Sequence, residues 1–364
     1  MEHSDDRRRG SGAQFFGAGG PKTAAAGVEL ALDLTQHSVI GLIEVLKNYA
    51  KFKRLFNRLL ELAFERQPDA IICVDFSGFN RRFARAVRQR IRREGSNWQP
   101  KIIQYVSPQV WASRPGRAKS MARHFDLLLT IFPFEKSWYA EREPELRVEF
   151  VGHPICDRFQ VPNLKLQTPN PSPLVLLLPG SRVGELKRHL PVMFAALEKL
   201  QINQPEIRAR MVLPNADLAA LAQSFLPPDE LEIQIGELDV ALREATIAIA
   251  STGTVTMECA YFGVPTIALY KTSWSTYQIG KRIIRVQFLA MPNLLANEEI
   301  FPEFIQNNAT AENISRAALE LLNNAERRGR IIEKLREVVA SLGGTGASQR
   351  AAEVIWKMVL TPAN

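Results

Sequence analysis

The chain has 364 residues, of which 46% are hydrophobic, and a formal net charge of +8 at pH 7. This length allows two domains of ordinary size, and the moderate positive charge suits a phosphate-bearing partner or an anionic membrane surface. The sequence contains no helix-turn-helix, RNA-recognition or zinc-finger pattern, which argues against a nucleic-acid partner. The three cysteines lack metal-ligand spacing, and no apolar run approaches the roughly 18 residues of a membrane span. We therefore expect a cytoplasmic protein that is soluble or attached to a membrane surface.

The first predicted element follows a polar tail. Residues 1–12 are polar and are expected to be disordered. A strand is predicted at 13–16, and the glycine-rich stretch 17–21 is predicted to be a loop. A mononucleotide-binding half normally has a strand, a glycine turn and a helix before such a point. We therefore expect the opening βα unit to be missing.

Residues 38–63 predict a basic amphipathic helix. Apolar side chains form one stripe along it, and lysines and arginines crowd the remaining surface. One interpretation is an ordinary helix that packs on its own sheet. The other is a segment, from Val39 to Leu60, that lies on an anionic bilayer, because residues 39–46 are more apolar than a loop requires.

Polar residues follow the next two predicted strands, at 70–74 and 102–106. Asp75 ends the first strand and precedes Asn80; a carboxylate at the carboxyl end of a parallel strand is a candidate general base. The alternative is that Asp75 caps the following turn. Ser107, Trp111 and Arg114 follow the second strand, and Trp111 either offers a stacking face to a ligand or only packs.

The first half closes with predicted strands at 126–131 and 148–151. His153 follows the second of them, where it either contacts a diphosphate or makes a local hydrogen bond. Residues 160–173 are rich in proline and asparagine and are predicted to be a linker. The chain is therefore expected to divide near residue 165.

A strand, a tight turn and a helix are predicted from residue 174 onward. The apolar run 174–178 is typical of a strand that is covered on both faces, and helical spacing begins at Val183. In the turn, Gly180 lets the backbone approach a ligand, Ser181 offers a hydroxyl and Arg182 offers a planar charged fork. The positive end of the helix dipole points at the same turn. Such turns are frequent in α/β folds, so this turn alone favours an ordinary turn with a surface arginine over a phosphate or diphosphate site. A second turn of the same kind reverses that preference.

A second turn of the same kind follows a predicted strand at 247–250. It consists of Ser251, Thr252, Gly253 and Thr254, and Glu258 lies one turn into the following helix. Ligands of parallel sheets bind beyond the carboxyl ends of the strands, so both turns are expected to line one crevice. A diphosphate at one turn and a ribose at the other would make a nucleotide-sugar site.

Further strands predicted at 209–213, 232–235 and 266–269 give the βα alternation of a doubly wound sheet. Two Rossmann-like domains that face each other across a crevice form the α/β architecture called GT-B. The predicted parts are the tail 1–12, a first Rossmann-like domain 13–165 that carries the candidate membrane-facing segment, a nucleotide-sugar-binding domain 166–345, and a C-terminal helix 346–364 that returns toward the first domain. We expect no metal and no cofactor, because helix termini and cationic side chains can stabilise a leaving diphosphate. The absence of a D-x-D pair from the sequence agrees with this expectation.

Six motifs along the chain resemble those of the lipid-A-disaccharide synthase family. They read YVSPQVWASRPGR, FPFEKSWY, VEFVGHP, LLPGSRVGELKRHLP, STGTVTMECAYFGVP and MPNLLANEEIFPEFIQ. The resemblance covers nearly the whole chain, from about Phe15 to the C-terminus.

The resemblance implies a transfer of 2,3-diacylglucosamine from UDP-2,3-diacylglucosamine to the 6-hydroxyl of 2,3-diacylglucosamine 1-phosphate, with inversion. It implies Asp75 as the base, Ser181 and Arg182 at the diphosphate, Glu258 at the ribose hydroxyls, and Asn293 in the pocket. The predicted substrate-binding residues are Asn80, Ser107, Trp111, Arg114, His153, Gly180, Ser181, Arg182, Ser251, Thr252, Gly253, Thr254, Glu258, Asn293, Glu303 and Gln306. It also implies a protein on the cytoplasmic face of the inner membrane, and a homodimer is left open.

Two departures from the family pattern bear on activity. Many members read D-x-P-D-F-N where this chain has DFSGFN at 75–80, so Gly78 stands where a second aspartate often stands. The family usually opens with G-E-x-S-G-D, which is not found before Ala13. Either the start codon was placed too late, or this is a truncated, inactive protein that binds UDP or acylated glucosamine at a membrane. Another GT-B enzyme of UDP-sugars is a further alternative.

Overall fold

The computed structural model describes residues 13–33, 49–159 and 172–361, which form an α/β structure with parallel strands. The described residues divide into two compact units. The first contains 13–33, 49–104 and 124–126, and the second contains 105–123, 127–159 and 172–361. The tail 1–12 and the boundary near residue 165 lie outside the described residues, so the division into domains made from the sequence stays a prediction.

The first unit alternates strands with helices. In chain order its elements are β1 (Phe16–Gly19), α1 (Pro21–Ala25), β2 (Glu29–Asp33), α2 (Tyr49–Arg66), β3 (Ala70–Val74), α3 (Ser77–Glu94) and β4 (Lys101–Tyr105), the last of which ends where the second unit begins. Strand β1 pairs in parallel with β2, and β3 lies beside β4. The strand predicted at 13–16 therefore lies later in the chain: it begins at Phe16 and continues through residues 17–19, which we expected in a loop and which pair with residues of β2.

Helix α2 buries part of its apolar stripe within the first unit. The Phe56 ring lies 5.4 Å from the Phe79 ring and 5.7 Å from the Phe83 ring, both on α3. Leu62 and Ala63 are buried as well. These side chains thus pack as those of a helix inside its own unit, the first of the two interpretations. Residues 39–48 of the predicted membrane segment lie outside the described residues.

The remaining elements belong to the second unit, apart from His124 at the end of α5. They are α4 (Val110–Ser113), α5 (Ala118–His124), β5 (Leu127–Thr130), α6 (Pro133–Ala140), β6 (Val148–Phe150), α7 (Ile155–Arg158), β7 (Leu174–Leu178), α8 (Val183–Asn203), β8 (Arg208–Leu213), α9 (Ala216–Gln223), β9 (Leu231–Ile235), α10 (Leu238–Glu244), β10 (Ile247–Ser251), α11 (Thr254–Tyr261), β11 (Thr266–Tyr270), α12 (Trp274–Ile283), α13 (Met291–Ala296), β12 (Glu303–Ile305), α14 (Ala311–Asn323), α15 (Ala325–Ser341) and α16 (Ala347–Leu360). Short 3₁₀ helices lie at Pro115–Arg117 and Gln306–Asn308.

Strands β7 to β12 form one parallel sheet in the order β12-β11-β10-β7-β8-β9. Read from β9, this is the Rossmann order, and its topological switch point lies between β7 and β10. Every residue of these two strands is at most 4% exposed, which explains their continuous apolar sequences, since helices cover both faces of such a sheet. The doubly wound sheet predicted from the βα alternation is confirmed.

The C-terminal helix α16 returns to residues 151–157, as the GT-B architecture predicts. The Asp157 carboxylate accepts hydrogen bonds from the backbone N–H groups of Gly346 (2.6 Å), Ala347 (3.2 Å) and Ser348 (2.8 Å) at the start of this helix. From the next turn of the helix, the Arg350 Nε donates to the Val151 carbonyl at 2.8 Å. Charge-assisted bonds to a helix N-terminus are favourable, so these contacts fix where the helix lies.

Candidate functional site

The turn after β7 already holds a carboxylate. Gly180 has a φ of 118°, which glycine adopts readily, and α8 begins three residues later. The Ser181 N–H donates to Glu185 Oε2 at 3.0 Å, and the Arg182 Nη1 donates to Glu185 Oε1 at 3.0 Å. The Arg182 guanidinium is a donor that the sequence assigned to a diphosphate; at Ser181 the sequence assigned the hydroxyl, whereas the group that binds Glu185 is the backbone N–H. The structure therefore demonstrates that the turn accommodates an anionic group, although it is an internal one.

Glu185 was not among the predicted site residues. Its position in the first turn of α8, three residues after Arg182, is a capping-box spacing that could have indicated it. Only the folded chain reveals that its carboxylate reaches back to the N–H preceding the cap residue.

His189 links this turn to another strand end. Its Nδ1 donates to the Pro179 carbonyl at 2.7 Å, and its Nε2 accepts from the Lys271 N–H, just after β11, at 3.1 Å. Burial lowers the pKa of His189, so the neutral ring supplies one donor and one acceptor. His189 was also missed, since a histidine between Leu186 and Leu190 on a buried helix face gives no distinct signal.

The turn after β10 lies beside the turn after β7. Ala250 is the register partner of Leu178, so the two strands end at the same level. Gly253 has a φ of 130°, and the Thr256 hydroxyl donates to its carbonyl at 2.7 Å in the first turn of α11. The expectation that both turns lie at one edge of the sheet agrees with this pairing. That edge is the switch point, where ligands of such sheets bind.

Glu258 faces a cation from another helix. The Arg158 Nη1, on α7, donates to Glu258 Oε1 at 2.7 Å. Burial raises the pKa of Glu258, and the charge and hydrogen bond of Arg158 oppose that shift. A ribose at this carboxylate would compete with, or add to, the contact with Arg158.

Asn293 and Glu303 form an internal network rather than an open binding surface. Asn293 is completely buried; its Nδ2 donates to Phe301 O and Glu303 Oε1, and its Oδ1 accepts from the N–H groups of Ile300 and Phe301. Glu303 also accepts from the N–H groups of Leu289 and Ala290. The side chain of Asn293 thus uses its full hydrogen-bonding capacity within the protein.

Gln306 likewise bonds to the chain itself. Its Oε1 accepts from the Thr272 N–H at 2.9 Å, and its Nε2 donates to the Thr272 carbonyl at 3.2 Å. In this structure Gln306 fixes the segment after β11 through both of its amide atoms.

The predicted stacking face of Trp111 is buried, and its ring is only 7% exposed. Its Nε1 donates to Glu135 Oε1 at 3.0 Å, and the Phe134 ring packs against it at 4.9 Å. Burial raises the pKa of Glu135 to about 7. These contacts favour the alternative that Trp111 only packs, because little of its side chain is exposed to a ligand.

The other residues of this loop differ in exposure. Ser107 is buried, and its hydroxyl donates to the Tyr139 hydroxyl at 3.2 Å. Arg114 is exposed and follows α4. Arg114 is therefore the residue of the predicted loop site that is placed to meet a solvent-borne anion.

His153 makes a local hydrogen bond. Its Nδ1 accepts from the Ile155 N–H at 3.1 Å, and the ring lies 5.4 Å from the Phe132 ring. Burial lowers the pKa of His153 to about 4. The imidazole is thus neutral near pH 7 and carries its proton on Nε2, which leaves a neutral donor as its means of contacting a diphosphate.

Asp75 and Asn80 lie in the first unit. Asp75 is exposed, and the N-cap position of α3 is held by Phe76, so Asp75 does not cap that helix. Asn80 is buried, and its Nδ2 donates to the Val74 carbonyl at 3.1 Å and the Asp75 carbonyl at 2.8 Å. The amide predicted to contact substrate is therefore directed at the backbone that carries Asp75.

The Rossmann strand order, with a turn bearing an arginine and a turn bearing hydroxyl groups at its switch point, is that of a Rossmann-like half of a GT-B protein. Solved structures agree on the fold. A UDP-GlcNAc 2-epimerase from Neisseria meningitidis, bound to UDP-GlcNAc, has a TM-score of 0.61 at 11% identity, covering 95% of this chain and 100% of that one. The S. aureus MnaA-UDP co-structure has a TM-score of 0.59 at 13% identity, covering 97% and 99%.

Sequence comparison gives the family. A family model described as lipid-A-disaccharide synthetase matches residues 4–359. The lipid-A-disaccharide synthase of Geobacter metallireducens is 35% identical over 354 residues, which cover 95% of this chain and 89% of that protein. The synthase of Myxococcus xanthus is 32% identical over 361 residues, which cover 97% and 92%. The chain belongs to the lipid-A-disaccharide synthetase family and is a glycosyltransferase.

Proposed function

We propose that this chain makes the β(1→6) lipid A disaccharide 1-phosphate from UDP-2,3-diacylglucosamine and 2,3-diacylglucosamine 1-phosphate. The observation that carries the proposal is the pair of adjoining strand-end turns at the switch point, in a chain of this family. One of these turns binds a carboxylate through a backbone N–H and a guanidinium. A diphosphate would use the same donors.

The transfer is a single displacement with inversion. The acceptor 6-oxygen forms a bond to C1 of the donor sugar as the bond from C1 to the β-phosphate oxygen breaks. The bonding electron pair leaves with UDP, and Asp75 takes the proton of the hydroxyl. Asp75 suits this role because it is exposed and does not cap α3.

The departing diphosphate needs positive charge. Arg182 and the Ser181 N–H would supply it once Glu185 releases them, and the dipole of the 21-residue helix α8 adds to it. Ser251 to Thr254 would add polar contacts, and Glu258 would bind the ribose hydroxyls. Across residues 13–33, 49–159 and 172–361, no group of three or more His, Cys, Asp or Glu side chains suits a metal ion.

We propose more limited roles for six of the predicted substrate-binding residues: Asn293, Glu303, Gln306, Ser107, Trp111 and His153. The polar atoms of the first five bond within the protein, so these five residues would shape the pocket walls rather than touch the ligand directly. His153 uses Nδ1 in a local hydrogen bond and would donate its Nε2 N–H to the diphosphate. Lys271 would also shape the pocket wall, because its Nζ donates to the carbonyls of Gln306 and Ala309.

We also propose that the protein binds the cytoplasmic face of the inner membrane. Lys53, Arg54 and Arg58 on α2 are exposed, and such cations are attracted by anionic lipid headgroups. No helix among the described residues has the length and apolar content to span a bilayer. Vesicle sedimentation of a Lys53→Glu/Arg54→Glu variant would test this; membrane binding equal to that of the unmodified protein contradicts it. A homodimer remains part of the proposal.

The decisive experiment measures turnover of the two acylated substrates by the purified chain, scored for disaccharide and UDP. We expect turnover, a higher melting temperature in the presence of UDP, and loss of that increase in Arg182→Ala. Binding of UDP without turnover would support the inactive, ligand-binding alternative. An unchanged UDP effect in Arg182→Ala would contradict the diphosphate assignment.

A further inference from the structure

The backbone after β3 is strained. Asp75 has a φ of 47° and Phe76 has a φ of 26° with a ψ of 52°, which place two consecutive residues other than glycine in the left-handed region. Such a conformation is unfavourable for a residue other than glycine and persists only where surrounding contacts enforce it. The strain is therefore informative about what those contacts do.

Two buried amides enforce this conformation from different elements. The Asp75 carbonyl accepts from Asn80 Nδ2 on α3 at 2.8 Å and from Gln104 Nε2 on β4 at 2.8 Å. Asn80 Nδ2 also donates to the Val74 carbonyl at 3.1 Å. Asn80 is 8% exposed and Gln104 is fully buried, so water competes little for these bonds.

Aromatic packing holds the next residue. The Phe76 ring stacks on the Phe79 ring, with centroids 5.7 Å apart and an interplanar angle of 1°. The Phe76 carbonyl also accepts from the N–H groups of Phe79 and Asn80 at the start of α3. The strained pair is thus fixed on both sides, while the Asp75 side chain itself stays exposed.

We propose that Asn80 and Gln104 are positioning residues that hold the Asp75 backbone so that its carboxylate meets the acceptor hydroxyl. This inference rests on the proposed function, in which Asp75 is the base. A catalytic group must be held within a fraction of an ångström of its working position, and loss of that positioning lowers the rate by about 100-fold. Asn80 then acts through Asp75 and not through contact with substrate.

The test measures kcat and KM for Asn80→Ala and for Gln104→Leu, each alone and combined with Asp75→Asn. We expect each single variant to lower kcat about 10- to 100-fold with KM changed less than about threefold. In the Asp75→Asn background, the same changes are expected to lower kcat no further, because the group that they position no longer acts.

Matched controls separate positioning from general damage. Gln89→Leu and Asn97→Ala change exposed residues of the same unit and are expected to retain wild-type kcat. Melting curves report whether each variant is folded. Gln104→Leu removes a hydrogen bond that reaches the same carbonyl from another element. If Asn80→Ala does not fold, Gln104→Leu can therefore still refute the inference.

Three results would overturn the inference. A raised KM with unchanged kcat in Asn80→Ala makes Asn80 a substrate contact, and the proposed function then still stands. Losses in kcat that multiply in the double variants make the residues independent of Asp75. Absence of disaccharide from the wild-type chain removes the proposed function and this inference together.

Discussion

The chain turns sharply after β3 in the first unit and after β7 in the second, and the two turns are built differently. After β7, Gly180 adopts a φ of 118° without a side chain to clash, and the donors of the turn bind a carboxylate. After β3, Asp75 and Phe76 adopt positive φ angles despite their side chains, and buried amides and a stacked ring hold them there.

This difference in construction matches the different chemistry that the proposed function assigns to the two turns. A turn that binds an anion needs exposed N–H groups, which glycine leaves accessible at little cost. A turn that presents a base must carry a side chain at a defined position, so glycine cannot serve, and the strain is offset by tertiary contacts. Four sets of substitutions test this comparison, from the largest expected effect to the smallest.

Replacing the strained aspartate separates stability from activity. Asp75→Gly should lower kcat by at least about 100-fold, because the base is lost. Its free energy of unfolding should rise by about 1 kcal/mol, because glycine adopts a φ of 47° without strain. Turnover assays and urea denaturation measure both. The exposed Asp69→Gly is the control, and a large loss of stability in Asp75→Gly would mean that the side chain is structural.

A third strand end, after β5, sharpens the comparison because its carboxylate is buried. The folded-state pKa of Glu135, about 7, lies above the ordinary value of 4.5. Folding therefore favours the protonated carboxyl, and this contribution is full below pH 4.5 and is lost as the pH rises to about 7. We expect the wild type to lose up to about 3 kcal/mol of stability over this range relative to Glu135→Gln.

Denaturation at pH 4.5, 6 and 7.5 measures this pH dependence. The exposed Glu145→Gln serves as the control and should follow the wild type. A stability difference between the wild type and Glu135→Gln that stays constant with pH would show that Glu135 titrates alike in the folded and unfolded chains.

Adding a methyl group to each glycine turn tests why glycine is present. A Cβ at Gly180 would lie 2.4 Å from Glu185 Oε2, whereas a Cβ at Gly253 would meet no atom within 4 Å. Both alanine variants carry backbone strain, and we expect Gly180→Ala to lose about 1 kcal/mol more because the Ser181–Glu185 hydrogen bond breaks. Equal melting temperatures would mean that this bond contributes nothing.

The smallest effect is expected for the internal carboxylate of the β7 turn. Glu185→Gln should bind UDP about two- to fivefold more tightly, because a partly exposed ion pair that competes with the diphosphate is weak. Calorimetric titration with UDP measures the dissociation constant, and Glu198→Gln, exposed on the same helix, is the control. Weaker binding by Glu185→Gln would show that the carboxylate supports the turn in its ligand-bound form.

The sequence alone determined five strands of the six-stranded sheet, β7 to β11, and the turns after β7 and β10; it did not indicate the short edge strand β12. Runs such as 174–178 and 247–250 are continuous in apolar residues, and helical spacing follows each turn, because burial on both faces acts on every residue locally. The family, too, follows from six stretches that are each contiguous in the chain. The sequence did not determine where β1 begins and ends, because pairing with β2 decides its bounds.

Tertiary structure alone decided what the polar atoms do. His189 and Lys271 are 82 positions apart, and Gln104 reaches Asp75 from a neighbouring strand, so no local pattern indicates either contact. Asn293, Glu303 and Trp111 are residue types that often bind ligands, yet their polar atoms form hydrogen bonds inside the protein. The physical reason is that a buried polar group must find a partner wherever the fold provides one, and its sequence neighbours do not specify which one.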